Sequence, residues 1–373
     1  MDTAPCRNAW KGAMTPRERF RRQMHFQPFD RCFNMEFGYW GETFRTWDIF
    51  RDNHISDTDA ANRFFNFDRI DNIGFEYWMV PPFPSVEVGV RGDRRILRNA
   101  DGLLAEVPVD GHDTVPHFVK ATVVTPDDWK KCKAERFRLD APGRIPDVEA
   151  WSRAHPPGRD YPLGIYCGSL IGKVRDMLTF EGLAYAIYDY PEMVEDMVET
   201  CCQIIEQGLD AALGAVDFDY ASGWEDICFK NGPIVSMDFF NKVLVPRYKR
   251  IGEKLHSHGV DVWYTDCDGD VRPFIPGFLD AGLNCLFPYE VNSCGHPADI
   301  LREYGRDLLL MGGFDKLEMR KGPKAIDAYM AGIAPLVERG GFIPFCDHLC
   351  PPDITPENYL YYLDLKERTF GLP

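Results

Sequence analysis

From about residue 160 onward, short apolar runs alternate with longer stretches whose apolar residues recur at helical spacing. Residues 161–167 are an apolar run of strand length, and residues 191–210 follow with Val194, Met197, Val198, Cys201, Ile205 and Leu209 on one helical face. Residues 216–221 predict the next strand. Ser236 then caps a helix carrying Phe240, Leu244, Tyr248, Ile251 and Leu255, which His258 and Gly259 end with a basic residue and a glycine. Further strands are predicted at 260–264, 283–287, 308–311 and 342–345, with helical stretches near 271–281, 298–304 and 324–339. Near-continuous apolar strands joined by short loops predict a parallel sheet covered on both faces. With 32–37 and 70–75 as earlier members the count reaches about eight, which predicts a single (β/α)8 TIM barrel of the α/β class.

Ahead of this alternation the pattern differs. Residues 87–107 alternate in short stretches around an Asp101-Gly102 turn, predicting a small antiparallel β insertion at about 85–110. Pro142, Pro146, Pro156, Pro157 and Gly158 break the pattern over 140–160, a passage that reads as a loop or a linker. The expected organisation is an extension over 1–13 and one barrel over 14–373. No glycine-rich phosphate cradle follows any strand, which argues against a dinucleotide or nucleoside triphosphate fold.

Composition narrows the partners. The 373 residues are 45% hydrophobic and carry a net charge of −16, which repels phosphate backbones and anionic lipid surfaces. Neither nucleic acid nor a membrane is expected as a partner. No apolar run approaches the ~20 residues of a membrane-spanning helix and no leader pattern opens the chain, so a cytoplasmic protein is expected. The 12 cysteines are too sparse for a disulfide scaffold and form no zinc-ribbon spacing.

Ionisable residues crowd behind the strands. Glu225 and Asp226 follow the strand at 216–221; the segment TDCDGD over 265–270 follows the next; Tyr289 and Glu290, then Asp315 and Lys316, then Cys346, Asp347, His348 and Cys350 follow the others. TDCDGD reads either as turn chemistry capping the next helix or as a paired site. In the second reading Asp266 and Asp268, two apart on an extended strand end, point the same way as oxygen ligands or a general-base pair, with Cys267 opposite. Cys346 and Cys350 read as core thiols or, with His348 between them, as soft-metal ligands. Glu225 pairs with Lys230 or faces the site, and Glu290 caps a helix or faces the site. The rings of Phe37, Tyr39, Trp40, Phe44 and Trp47 read as core or as the wall of a pocket for a flat ligand. His54, His112, His117, His256 and His258 show no paired spacing.

Taken together, MTPRERF over 14–20, Phe29-Asp30-Arg31, WEDICFKNGPIVS over 224–236, TDCDGD, FPYE over 287–290, GGFDK over 312–316 and CDHLCPPDITPENYLYYL over 346–363 resemble the uroporphyrinogen decarboxylase superfamily. The resemblance spans residue 14 to the C-terminus and is nearest to the decarboxylase-like branch that includes cobalamin-dependent methyltransferases. It implies a single (β/α)8 barrel. The decarboxylases carry arginines after the first strand; here NMEFGYW over 34–40 has none, so a polycarboxylate tetrapyrrole is disfavoured. The methyltransferases hold zinc with a His-x-Cys pair and a third ligand near the C-terminus. Asp266 and Asp268 fall at the pair, and His348, or else Cys346, falls near the third position. The implied zinc site is harder and richer in oxygen, which disfavours a thiol such as coenzyme M as acceptor.

The expected function is that of a corrinoid-dependent methyltransferase. It would move a methyl group between a small methylated substrate, a methoxyarene suiting the rings, and a cobalamin carried by a partner corrinoid protein. Glu225, Asp266, Asp268 and His348 are the expected catalytic residues; Tyr39, Trp40, Tyr289 and Glu290 the substrate-binding ones; Asp266, Asp268, His348 and Cys346 the metal ligands. Methyl transfer from oxygen needs a protonated or metal-bound leaving group, which is what such residues supply. The alternatives are a metal-free decarboxylase or other lyase acting on a small carboxylic acid, and a corrinoid-binding protein without catalysis. Barrels of this superfamily often pair, so a homodimer is within the expectation.

Overall fold

The structure, a computed structural model, describes residues 4–109 and 117–372. His112, the last residue of the expected β insertion and residues 1–3 of the expected extension lie outside the described residues. The central sheet has seven parallel strands: β1 (Asp71–Gly74), β6 (Leu163–Tyr166), β7 (Tyr220–Trp224), β10 (Trp263–Asp266), β11 (Cys285–Tyr289), β12 (Leu309–Phe314) and β13 (Phe342–Cys346), hydrogen-bonded in that order. Between β1 and β6 the strands β2 (Val86–Arg91), β3 (Arg94–Arg98), β4 (Leu104–Pro108) and β5 (His117–Lys120) form a separate antiparallel sheet. The strands β8 (Cys228–Phe229) and β9 (Gly232–Pro233) make a short hairpin behind β7.

Alternation along each strand sorts side chains between two cores. One face collects Tyr220, Val262, Cys285, Phe287, Leu309, Met311, Ile343 and Phe345, with Phe20 and Met24 of the helix Pro16–Met24 against them. The other face, with Leu163, Ile165, Trp263, Leu286, Leu310 and Phe342, packs on helices such as Pro191–Ala212 through Val194, Val198 and Ile205. Among the described residues no helix is long and apolar enough to cross a membrane.

Two predicted strands begin too early. Residues 216–219 precede β7, and 260–262 precede β10; at the start of β7 the Tyr220 ring packs on Gly164 of β6, where a Cβ would lie 2.3 Å from it. The shift carries Asp266 into β10 as its last residue. The passage 140–160 is packed rather than free. It holds the helix Val148–Ala154, and the fully buried Arg144 donates to the carbonyls of Glu76, Trp78, Arg136 and Arg138 at 2.7–3.1 Å.

The predicted strand at 32–37 is not a strand of the ladder. Its residues run extended and mostly buried, with Phe33 and Met35 in the inner core, yet side chains hold it where strand hydrogen bonds were expected. The Phe33 N–H donates to Gln23 Oε1 at 2.7 Å, and the Asn34 N–H to Asp68 Oδ2 at 2.9 Å. Lys366 Nζ donates to the Met35 carbonyl at 2.8 Å and to Glu36 Oε1 at 2.7 Å, with side chains 0% and 2% exposed. The Cys346 N–H donates to Glu36 Oε2 at 3.1 Å, which ties this segment to β13. Removing one partner of such a pair strands a buried charge. Lys366→Met should therefore lower stability by about 3–5 kcal/mol in urea unfolding, and a loss below about 1 kcal/mol would show that the pair does not hold this seam.

Candidate functional site

The site assembles at the C-terminal ends of β7, β10, β11, β12 and β13. Asp266, ending β10, shares the inner face with Tyr264, and Cys267 beyond it turns into the outer core. The chain then bends at Gly269 with φ +89°, where a Cβ would lie 2.7 Å from the Phe229 carbonyl oxygen. That bend returns Asp268 to the mouth. Its Oδ2 lies 3.1 Å from His348 Nε2, and the Gly269 N–H donates to Glu290 Oε2 at 2.9 Å. Ligand atoms of Asp268, Glu290 and His348 lie within 4.8 Å of one another, and so do those of Asp226, Asp266 and Asp268.

Asp226 and Lys316 were not among the expected site residues. Asp226 adopts a left-handed backbone at φ +48°, which turns its carboxylate to accept the Asp268 N–H at 3.0 Å, while Arg175 donates to its carbonyl. Only that unusual turn tells the inward carboxylate of the Glu225-Asp226 pair from the outward one, and a sequence carries no signal for it. Lys316 Nζ donates to Glu290 Oε1 at 3.0 Å.

Crowding sets the electrostatics. Burial, then the Asp268 and Asp226 charges, push the Asp266 carboxyl up to about 8. Burial and Asp268 also raise Asp226. Burial opposes charge on His348, but the hydrogen bond and charge of Asp268 outweigh it and raise the imidazole above its ordinary value. Burial lifts Asp347 to about 6 against the pull of Lys316 and two backbone N–H groups.

Aromatic rings wall this cluster. Tyr264 stacks on Phe287 at 4.5 Å, Phe287 meets Phe37 edge-on at 4.7 Å, and Phe37 and Trp40 lie 5.9 and 6.0 Å from the His348 ring. Trp40 is 44% exposed at the rim.

Of the expected residues, Asp266, Asp268, Glu290, His348 and Trp40 come together, and four others do not. Glu225 is 2% exposed, and its carboxylate is spent on five donors: the N–H groups of Leu170, Ile171 and Gly172 and the hydroxyls of Ser169 and Tyr248. It anchors the loop after β6 rather than a substrate. Tyr39 is buried with its hydroxyl 2.6 Å from that of Tyr359. Tyr289 points into the outer core and donates to the Cys294 carbonyl. Cys346 also faces the outer core, where its free thiol shares a hydrogen bond with that of Cys350, because the strand period turns residue 346 away from Phe345.

The zinc that the resemblance implies can be tested on these donors. Two carboxylates and an imidazole converge, and Asp268 Oδ1 is buried without a hydrogen-bond partner among the described residues. An oxygen-rich set with one nitrogen fits a divalent ion of zinc or harder character, with Glu290 in the place expected for Asp266, and with His348, not Cys346, as the third ligand.

No protein-family model matches the chain, and no curated protein matches it. Among solved structures, a methyltransferase from Methanosarcina mazei is similar in fold, with a TM-score of 0.57 at 15% identity over 95% of this chain and 99% of that one. At that identity the likeness is one of fold.

The raised Asp266 has a signed consequence. Between the ordinary carboxylate range and about 8 the folded chain keeps a proton that the unfolded chain has lost, so this group makes stability fall as pH rises through that window. In chelator-treated protein Asp266→Asn should be more stable than wild type at pH 9, by on the order of 1–3 kcal/mol, and the difference should shrink toward pH 5. A variant less stable at pH 9 would contradict the crowding.

Proposed function

We propose that this protein is a methyltransferase acting on a small methylated substrate at the strand-end site. In this reading Asp268, Glu290 and His348 hold a divalent metal, zinc being the expected one, and a corrinoid on a separate partner protein carries the methyl group. The convergence of those three side chains inside a ring of aromatic residues carries the reading, supported by the fold likeness to a methyltransferase. The finer fold follows the same proposal: segment 33–37 fills the eighth position and completes a barrel like that of the uroporphyrinogen decarboxylase superfamily, over residues 14–373.

The chemistry needs a better leaving group than a bare alkoxide or phenoxide. A metal bound there would supply Lewis acidity at the substrate oxygen. Asp266 faces the same space from the end of β10 and is placed to hand a proton to that oxygen. Phe37, Phe287, Tyr264 and Trp40 offer flat apolar surface, which suits the ring of a methoxyarene, and exclude water around the departing group. Phe345 and Met311 line the floor beneath them. The corrinoid's cobalt would be the methyl acceptor, reached from the open mouth beside Trp40.

Purified wild type should contain about one divalent ion per chain, falling at least several-fold in His348→Ala and Asp268→Ala while the fold is kept. With a corrinoid protein present it should demethylate at least one of a panel of methoxyarenes, methyl alcohols and methylamines, and Asp266→Asn should slow turnover by about 100-fold. A metal-free wild type that takes up no added zinc and turns over none of the panel would sink this reading and favour a lyase or a binding protein.

A further inference from the structure

The metal reading leaves one cation already at the site. Lys316 opens the helix Lys316–Lys321 directly behind β12, and its backbone N–H donates to Asp347 Oδ1 at 3.1 Å. Its ammonium lies 3.0 Å from Glu290 Oε1 and 3.6 Å from Asp347 Oδ1. Glu290 Oε2 is engaged by the Gly269 N–H and Oε1 by the ammonium, so a metal drawing on Glu290 meets the Lys316 charge on the same carboxylate. Asp347 is fully buried and fixed by the Val291 and Lys316 N–H groups. It stands as a second berth within reach of the same ammonium.

Resting on the metal site proposed above, we propose that Lys316 is an internal cation that competes with the divalent metal for Glu290, its ammonium moving onto Asp347 when the metal binds. A dication shared by Asp268, Glu290 and His348 repels an ammonium held on Glu290, and at such separations the repulsion is strong in a partly buried site. The fixed carboxylate of Asp347 gives that ammonium a place to go without entering water. Lys316 thereby sets how tightly the site holds its metal. Without metal, the same ammonium keeps the acidic mouth from being uncompensated.

The test is a titration of chelator-treated protein with Co2+, followed by its visible absorption, with fold checked by circular dichroism and thermal unfolding. Lys316→Met should bind Co2+ at least about 10-fold more tightly than wild type, and Lys316→Arg, which keeps the charge, should stay within about 3-fold. Should Lys316→Met fail to fold, Lys316→Gln carries the same expectation. Affinity equal to or weaker than wild type in a folded neutral variant overturns the competition. His348→Ala separates the two claims: loss of Co2+ binding there, with no effect of neutralising Lys316, leaves the metal site standing and removes only this inference. No Co2+ binding in wild type or in any Lys316 variant removes both.

Discussion

The buried ion pair between Glu36 and Lys366 is the contact on which the rest of this architecture depends. Seven parallel strands leave two edges, β1 and β13, whose unpaired backbone groups need partners. The segment at 32–37 hydrogen-bonds to β13 and to Asp68 ahead of β1 without entering the ladder. Glu36 accepts from the backbone of β13, from Tyr362 and from Lys366 of the C-terminal helix Pro356–Phe370, while Arg31 and the Asn34 N–H meet Asp68 just ahead of β1. Charge-assisted contacts therefore tie this segment to β13 and to the approach to β1. Their directionality also fixes where Phe37 and Trp40 emerge, and hence which rings reach His348.

The site takes its geometry from the parallel sheet. In a parallel sheet every strand delivers its C-terminal end to one side, and loops from different strands meet there. Asp266 comes from β10, Glu290 from behind β11, Lys316 from behind β12 and His348 from behind β13. Bringing four carboxylates to one mouth works against folding, as the raised Asp266 and Asp226 carboxyls show. Two features hold the arrangement against that repulsion. Glu225 pins the β6 loop through four donors, and Asp226 beside it accepts a strained backbone to aim inward. Strain and like charge are thus gathered at one place.

Position along a strand separates the chemistry of near neighbours. Cys346 and His348 are two residues apart, yet the first closes against Cys350 in the outer core and the second reaches Asp268. The chain leaves β13 between them, so strand alternation ceases to govern and the loop decides. In the same way Tyr39 is drawn into the core by Tyr359, while Trp40, one residue on, stays at the rim.

Apolar spacing along the chain determined the α/β alternation after residue 160, the main helices between those strands and the gathering of ionisable residues behind the strands. These are local properties, set by periodicity and turn chemistry. It also placed Asp266 and Asp268 together at a strand end, although the bend at Gly269, beyond the strand, is what returns Asp268 to the mouth. Tertiary structure alone decided that 32–37 is held by side chains instead of a ladder, and that β7 and β10 begin later than their apolar runs. It decided as well that Glu225, Tyr39, Tyr289 and Cys346 belong to the core while Asp226 and Lys316 join the site. Each of those outcomes turns on a contact between residues far apart in the chain, such as Glu36 with Lys366 or Gly164 with Tyr220, or on a left-handed residue that no local pattern announces.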